Sequence, residues 1–469
     1  MSSDASHPGV SVLVAMAAAS FLAPLNSSMV AVALPDIRSS FGVSVSAATW
    51  LISGYLVSVA VAQPVGGRLG DAFGCRRMIL VGLAVLLLSS LGAAASTTYP
   101  LLLLTRSLQG VSAAMVMPTA IAYLRKRTPV ERLGAALGVN GAAVSLGAAL
   151  GPVIGAALLV FGGWRWLFIV NVPLALFALV VVWRVPADSG RGRSGRQFDP
   201  FSLLALAGVF LGMAILGSAR RLDNGALTVA AVAMLPAAIA FYLVRFRLAG
   251  SGLVDLRLFT KRSYSAAAAT VSLSNLVMYT TLIAIPLYLA DTRGVGDGAI
   301  GGLLFGMSVA IVVVSPVAGR YADGLGSRAM IVAGSAVLLA GSAVLWAVLH
   351  HPPLVVLAIP LVLMGVGLGL CQAAQQAAAL KAWPGEMAGS AAGTLSMMRY
   401  VGSISGTALI AALLSEHPGE SEFRLLFLVV ASAGVACVGA SLLVPRRSRR
   451  PDSGNTPVPE FEPELATGG

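Results

Sequence analysis

Charge is what this chain has least of. Only 11% of its 469 residues are Asp, Glu, Lys or Arg, while 57% are hydrophobic. That leaves too little polar surface to coat a water-soluble globule. Cysteine and histidine are scarce too. Cys75, Cys371 and Cys437 are scattered, so neither a disulfide framework nor a metal site is implied. His7, His350, His351 and His417 fall in expected loops or tails, whereas a membrane-embedded enzyme needs catalytic groups clustered at membrane depth. No Gly-rich phosphate loop ending in Lys and Ser or Thr occurs, which argues against direct ATP drive. The N-terminal segment lacks the basic stretch and cleavage pattern of a signal peptide, so the apolar run from Val10 reads as a retained helix.

What the chain does have is a series of apolar runs near twenty residues, the length a helix needs to cross roughly 30 Å of hydrocarbon. We read fourteen, beginning near Val10, Ala47, Met78, Pro100, Gly134, Trp166, Phe201, Ala226, Tyr264, Ala299, Ala329, Pro353, Ala388 and Phe423. Lipid satisfies no open backbone, so each is expected to be a helix. The intervening loops alternate in charge. One set carries Arg68, Arg76, Arg77, Arg125, Lys126, Arg127, Arg132 and most other cations; the opposite set has only Arg38, Arg165, Arg220, Arg221, Arg293 and Arg424. By the positive-inside rule the basic side is cytoplasmic, and both termini lie on it. The net charge of +12 is then a topology signal with some anionic-lipid contact, not a nucleic-acid surface. Arg outnumbers Lys and Ala and Gly abound, as in chains from GC-rich bacterial genomes, which makes the plasma membrane the expected location.

The sequence also repeats itself. "PVGGRLGDAFGCRR" at Pro64 to Arg77 returns as "PVAGRYADGLGSR" at Pro316 to Arg328, with Pro64, Gly67, Arg68, Asp71, Gly74 and Arg76 each matched 252 residues on. Weaker echoes at an offset of 255 pair Gly110 with Gly365, Gly147 with Gly402 and Gly151 with Gly406. Repeated helix sets in one orientation imply two similar bundles about an axis along the membrane normal, with a cavity between them. The expected fold is all-α and polytopic. It comprises an N-terminal segment (1–9), a six-helix bundle (10–185), a linker (186–200), an inserted two-helix hairpin (201–247), a second linker (248–263), a second six-helix bundle (264–444) and a Pro-rich, acidic, disordered tail (445–469).

Particular motifs carry a family resemblance. "GGRLGDAFGCRR" resembles the loop signature of the major facilitator superfamily between its second and third helices. "LTRSLQGVSAA" (Leu104 to Ala114) resembles the fourth-helix Arg motif of its antiporters, and "GAALGPVIGA" (Gly147 to Ala156) their fifth-helix motif. "WRWLFIVNVP" and "MMRYVGSISGTAL" are similar to sequences of the fourteen-helix drug:proton antiporter branch. The resemblance covers about Val10 to Val444. It implies export of hydrophobic or amphipathic compounds by a monomer, with the proton as coupling ion and no cofactor or metal. One position departs from it. Where the branch usually carries a first-helix Asp, "LNSSMVAVALP" has Asn26.

An ionisable group within hydrocarbon is a functional candidate by default. Two qualify, Arg106 and Arg399, and no Asp or Glu lies deep in any run. Gln109 follows Arg106 by one helical turn and shares its face. Arg106 either reaches into the cavity to organise coupling or holds its helix through backbone carbonyls; Arg399, read near the cytoplasmic start of its helix, either lines the cavity or snorkels. Asn26, Ser27 and Ser28 either line the substrate cavity or act as interhelical glue. Asn26 carries no proton, since an amide does not titrate near neutral pH. Asp36, at the outer end of the first helix, is the carboxylate left nearest the substrate path. Gly67, Asp71, Gly74, Arg76, Asp323 and Arg328 are read as a cytoplasmic gate, and Gly147, Gly151, Pro152 and Gly155 as the close-packing face of an interface helix. An uncoupled or differently driven importer or uniporter is the alternative that Asn26 keeps open.

Overall fold

The computed structural model describes residues 10–188, 200–218, 225–249, 256–349, 353–383 and 388–445. The N-terminal segment, most of both linkers and the C-terminal tail lie outside the described residues, as does the side chain of Asp323. Sixteen α-helices follow in order: α1 (Val10–Val32), α2 (Leu34–Phe41), α3 (Val45–Phe73), α4 (Cys75–Ala94), α5 (Tyr99–Arg127), α6 (Val130–Gly162), α7 (Trp166–Ile169) and α8 (Asn171–Arg184). Next come α9 (Pro200–Ser218), α10 (Gly225–Ala249), α11 (Arg262–Arg293), α12 (Asp297–Leu325), α13 (Ser327–Ala347), α14 (Leu354–Lys381), α15 (Ala388–Leu413) and α16 (Glu420–Leu442). A 3₁₀ turn, Leu256–Thr260, precedes α11. Among the described residues there is no strand, and eleven helices are long and apolar enough to cross a bilayer.

Helices stand at all fourteen expected places, with two breaks that hydropathy does not reveal. The first run ends at Val32, and Pro35 opens the short α2, where a missing N–H costs nothing in the first helical turn. The sixth divides at Val170 into α7 and α8.

The internal repeat is visible in three dimensions. Between α3 and α4 the chain turns at Gly74 (φ 97°, ψ 134°), and between α12 and α13 at Gly326 (φ 90°, ψ 147°). Both torsion pairs are ones an L side chain avoids, which explains glycine in both copies. The other glycine pairs mark equivalent helix crossings. A Cβ on Gly110 would fall 2.5 Å from the Tyr55 carbonyl oxygen, and one on Gly365 2.2 Å from that of Met307. Gly147 and Gly151 meet α1 as Gly402 and Gly406 meet α11.

The halves join along two seams, α3 with α15 and α6 with α12. Helix α9 packs on both α3 and α15, so the α9–α10 hairpin covers one seam. Buried apolar side chains form one continuous cluster through both halves toward the face opposite the basic loops. Toward the basic face they part into two separate clusters, one around Ala15, Ile79 and Tyr123 and one around Tyr264, Ile331 and Leu395. Among the described residues, apolar packing between the halves is therefore continuous toward the end opposite the basic loops and separate toward the basic end.

Candidate functional site

Asn26, Ser27 and Ser28 point three ways, as a 100° step per residue requires. Asn26 is buried within its own half. Its amide nitrogen donates to Gln109 Oε1 at 3.1 Å, and its oxygen accepts from Asn171 Nδ2 at 3.1 Å. Ser27 faces the other half, close to Tyr279 on α11. Ser28 turns back on its own helix, donating to the carbonyls of Pro24 (2.8 Å) and Leu25 (3.2 Å), where it sits against Gly151. One of the three thus meets the partner half, one joins a polar network, and one serves packing.

The network centres on Arg106, which has no exposed surface. Its Nη1 donates to Gln109 Oε1 at 2.7 Å, so that oxygen accepts from both Arg106 and Asn26. Gln109 Nε2 donates onward to Ser90 at 2.9 Å. The guanidinium lies 4.6 Å from the Tyr55 ring centroid, within cation–π range. Its Nε is 3.5 Å from the Leu51 carbonyl, too far for a strong bond, and its Nη2 has no partner. Among the described residues, every group in contact with this cation is neutral.

Arg399 lies eleven residues into α15, about 16 Å along the helix axis, deeper than its sequence position suggested. Its Nε has no partner. Tyr279 and Tyr400 lie close enough to feel its charge, and Tyr279 and Tyr55 that of Arg106. The two cations thus flank a group of three tyrosines contributed by both halves.

Asp36 stands elsewhere. It is half-buried on α2 at the end opposite the basic loops, where burial and the nearby Asp297 carboxylate push its carboxyl above the usual range. Beside it Arg38 forms an ion pair with Asp291 at the end of α11 and donates to the Glu416 carbonyl between α15 and α16. In the α3–α15 seam Ser53 donates to Thr407 at 2.7 Å. These contacts tie one half to the other.

Of the expected gate residues, Asp71 and Arg76 make contacts within the first half. Lys126 reaches Asp71 at 3.3 Å, and Arg76 grips the last carbonyls of α8, those of Val182 and Trp183. A Cβ on Gly67 would meet Pro118 Cβ at 3.9 Å, an ordinary van der Waals contact. Arg328 is half-buried at the start of α13. Gly147, Gly151 and Gly155 face α1, while Pro152 and Ala156 on the same helix meet Gly301 of α12, so the interface and the glycine stripe occupy different faces of α6.

Sequence reasoning passed over Asp188. Its carboxylate accepts from the Cys75 and Arg76 backbone N–H groups, both at 2.9 Å, capping α4 from 113 residues away, with Lys126 at 3.8 Å. The available signal was an acid just ahead of the Arg-rich run of the linker. Burial raises its pKa, but the donated N–H groups and Lys126 outweigh that and hold the carboxyl below its usual range. Its stabilisation is therefore complete above the ordinary Asp value near 3.9 and is lost as pH falls through the lower native value. Asp188→Ala is expected to cost about 1–2 kcal/mol, read as a lower melting temperature in detergent at pH 7. An unchanged melting temperature would remove Asp188 from this role.

Comparison with known proteins follows the same lines. A sequence model of the Major Facilitator Superfamily matches residues 16–278 and 267–467. The chain is 32% identical over 440 residues to an uncharacterized MFS-type transporter, YwoD of Bacillus subtilis, covering 92% of this chain and 95% of that one. It is 30% identical over 407 residues to the multidrug resistance protein Stp of Mycobacterium tuberculosis, covering 86% and 75%. It is 28% identical over 411 residues to a tetracenomycin C resistance and export protein of Streptomyces glaucescens, covering 86% and 76%. The crystal structure of a D-xylose-proton symporter superposes with a TM-score of 0.66 over 93% of this chain and 98% of that one, at 15% identity, a likeness of fold alone.

Proposed function

The chain belongs to the major facilitator superfamily, and from that premise we propose that it exports small hydrophobic or amphipathic solutes across the plasma membrane by alternating access. The observation that carries this reading is the packing asymmetry: one continuous apolar cluster joins the halves at the outer end, and two separate clusters replace it at the basic end. This suits one end state of a rocking pair, with the Arg38 clamp shut and the basic, cytoplasmic face parted. Asp71, paired within its own half, fits a cytoplasmic gate released in this state. The names of the resistance and export proteins among the relatives support the outward direction. In this reading the α9–α10 hairpin also spans the bilayer, giving fourteen crossings with both chain ends cytoplasmic, and the working unit is a monomer.

Proton antiport, which the family resemblance implied, falls to Asp36. A carboxyl whose pKa rises on closing the outer seam takes up a proton as the seam closes, so external acid favours the closed form. Proteoliposomes with a trapped pH dye test both parts of the reading. They are loaded in turn with three probes of one fluorophore: dansylamide (neutral), dansylcadaverine (cationic) and dansylglycine (anionic). The expected result is saturable, protein-dependent exit of at least one probe, with a proton movement that Asp36→Asn removes. Exit no faster than from protein-free vesicles for all three would overturn the transport reading. Exit without any proton movement would overturn antiport alone.

A further inference from the structure

The membrane interior of this protein holds two guanidinium groups and no acid. All 19 Asp and Glu residues fall at helix ends, in loops or outside the described residues. Arg106 is fully buried, yet its neighbours are an amide oxygen, a distant carbonyl and an aromatic face, and Nη2 bonds to nothing. Gln109 Oε1 already accepts twice, Asn26 is engaged with Gln109 and Asn171, and Asn171, bonded through Nδ2 to Asn26 and the Leu167 carbonyl, has only a neutral amide oxygen unpartnered. Nothing in the network can supply the missing counter-charge. Arg399, also with an unpartnered buried N–H, stands across the tyrosine group on the opposite half. A buried cation without an anion is costly, and helix packing alone does not need two of them.

We infer that the substrate is an anionic amphiphile, whose carboxylate, sulfonate or phenolate is held between Arg106 and Arg399 while its apolar body lies against Tyr55, Tyr279 and Tyr400. The inference rests on the transport reading above and deepens it. Guanidinium groups match such anions with paired donors in a plane. Tyr279 and Arg399, each partly exposed, form the accessible edge, and Arg106 the buried end. Contact with one residue from each half is what would let the anion bias the rocking equilibrium, since a ligand shifts states only through differential contacts. The anion also removes the need for a proton carrier at membrane depth. An inside-negative potential drives one negative charge outward with an equilibrium ratio of about fiftyfold per 100 mV. The missing first-helix carboxylate and the orphaned cations then have one explanation.

The dansyl series tests this, because its members differ mainly in charge. Dansylglycine is expected to leave proteoliposomes about tenfold faster at low concentration than dansylcadaverine, the scale of a charge-assisted contact. A potassium–valinomycin potential, inside negative, should accelerate it further. Arg399→Gln and Arg106→Gln should each lower the ratio of dansylglycine to dansylcadaverine exit about tenfold. Arg106→Lys should retain the order anion over cation. Dansyl fluorescence enhancement in detergent gives binding for any variant that no longer transports, and a size-exclusion profile matching parent guards against misfolding. Cation preference, or an order unchanged by both Gln substitutions, would overturn the inference while transport stands. No probe moved or bound would overturn the transport reading itself.

Discussion

Asn26→Asp should reverse the charge preference of the transporter. The parent amide donates to Gln109 Oε1 and accepts from Asn171. A carboxylate there keeps the second bond but loses the first, and places an anion beside the oxygen that also receives Arg106. The Gln109 amide must turn, and Arg106, which shares that acceptor with residue 26 and has Nη2 unpartnered, is the cation placed to bond the new charge. Once that ion pair forms, the interior holds one net positive charge instead of two, and a bound anion loses its strongest partner. We expect dansylglycine exit to fall about a hundredfold relative to dansylcadaverine, roughly 3 kcal/mol. A proton movement that survives Asp36→Asn should accompany cation exit, because the site now contains a second group that titrates. The measurement is the same vesicle assay with its pH dye. A ratio within a fewfold of parent would mean that Arg106 does not set charge selectivity.

This reversal depends on a geometry that the sequence only half disclosed. Fourteen apolar runs, the repeated Gly–Asp loop and the glycine echoes were legible because each rests on local chemistry: bilayer length, a positive φ at Gly74 and Gly326, and the absence of a side chain where helices touch. The breaks at Ala33 and Val170 were not, since hydropathy is continuous across both. Among the candidate residues, Arg106 and Gln109 were readable as one face of one helix. That Gln109 would also receive Asn26, and Asn26 receive Asn171, depends on how three helices cross, which no spacing encodes. The same holds for the outer clamp. Arg38 counted in the sequence only as a rare outer cation, and its partners Asp291 and Glu416 lie 253 and 378 residues away. Asp188 failed for a third reason, since a cap supplied by a distant segment has no sequence pattern, unlike a local Ser or Asp N-cap.

Gly402→Val is expected to leave no folded protein. A Cβ at Gly402 would stand 1.8 Å from the Ser272 carbonyl oxygen, with that residue's carbonyl carbon and Cα at 2.7 and 3.0 Å. The obstacle is backbone, so no rotamer change relieves it, and α15 would have to withdraw from α11 along its length. Those helices carry Arg399 and Tyr279 and join at the site, so separation would remove packing and binding geometry together. The cost should exceed the usual 1–3 kcal/mol of overpacking and reach about 4 kcal/mol or more, enough to exhaust marginal stability. Gly147, its counterpart in the first half, would place a Cβ 2.4 Å from the Phe21 carbonyl oxygen, and Gly147→Val should behave alike. Gly141 on α6 has nothing within 4 Å, and Gly141→Ala should be neutral or stabilising by up to about 1 kcal/mol. Size-exclusion profiles and melting curves of the three variants distinguish close helix contact from a general intolerance of substitution. Monodisperse Gly402→Val protein with a parental melting temperature would mean that α11 and α15 do not cross at this distance. The two-bundle packing on which the Arg106–Arg399 site depends would then need a different helix arrangement.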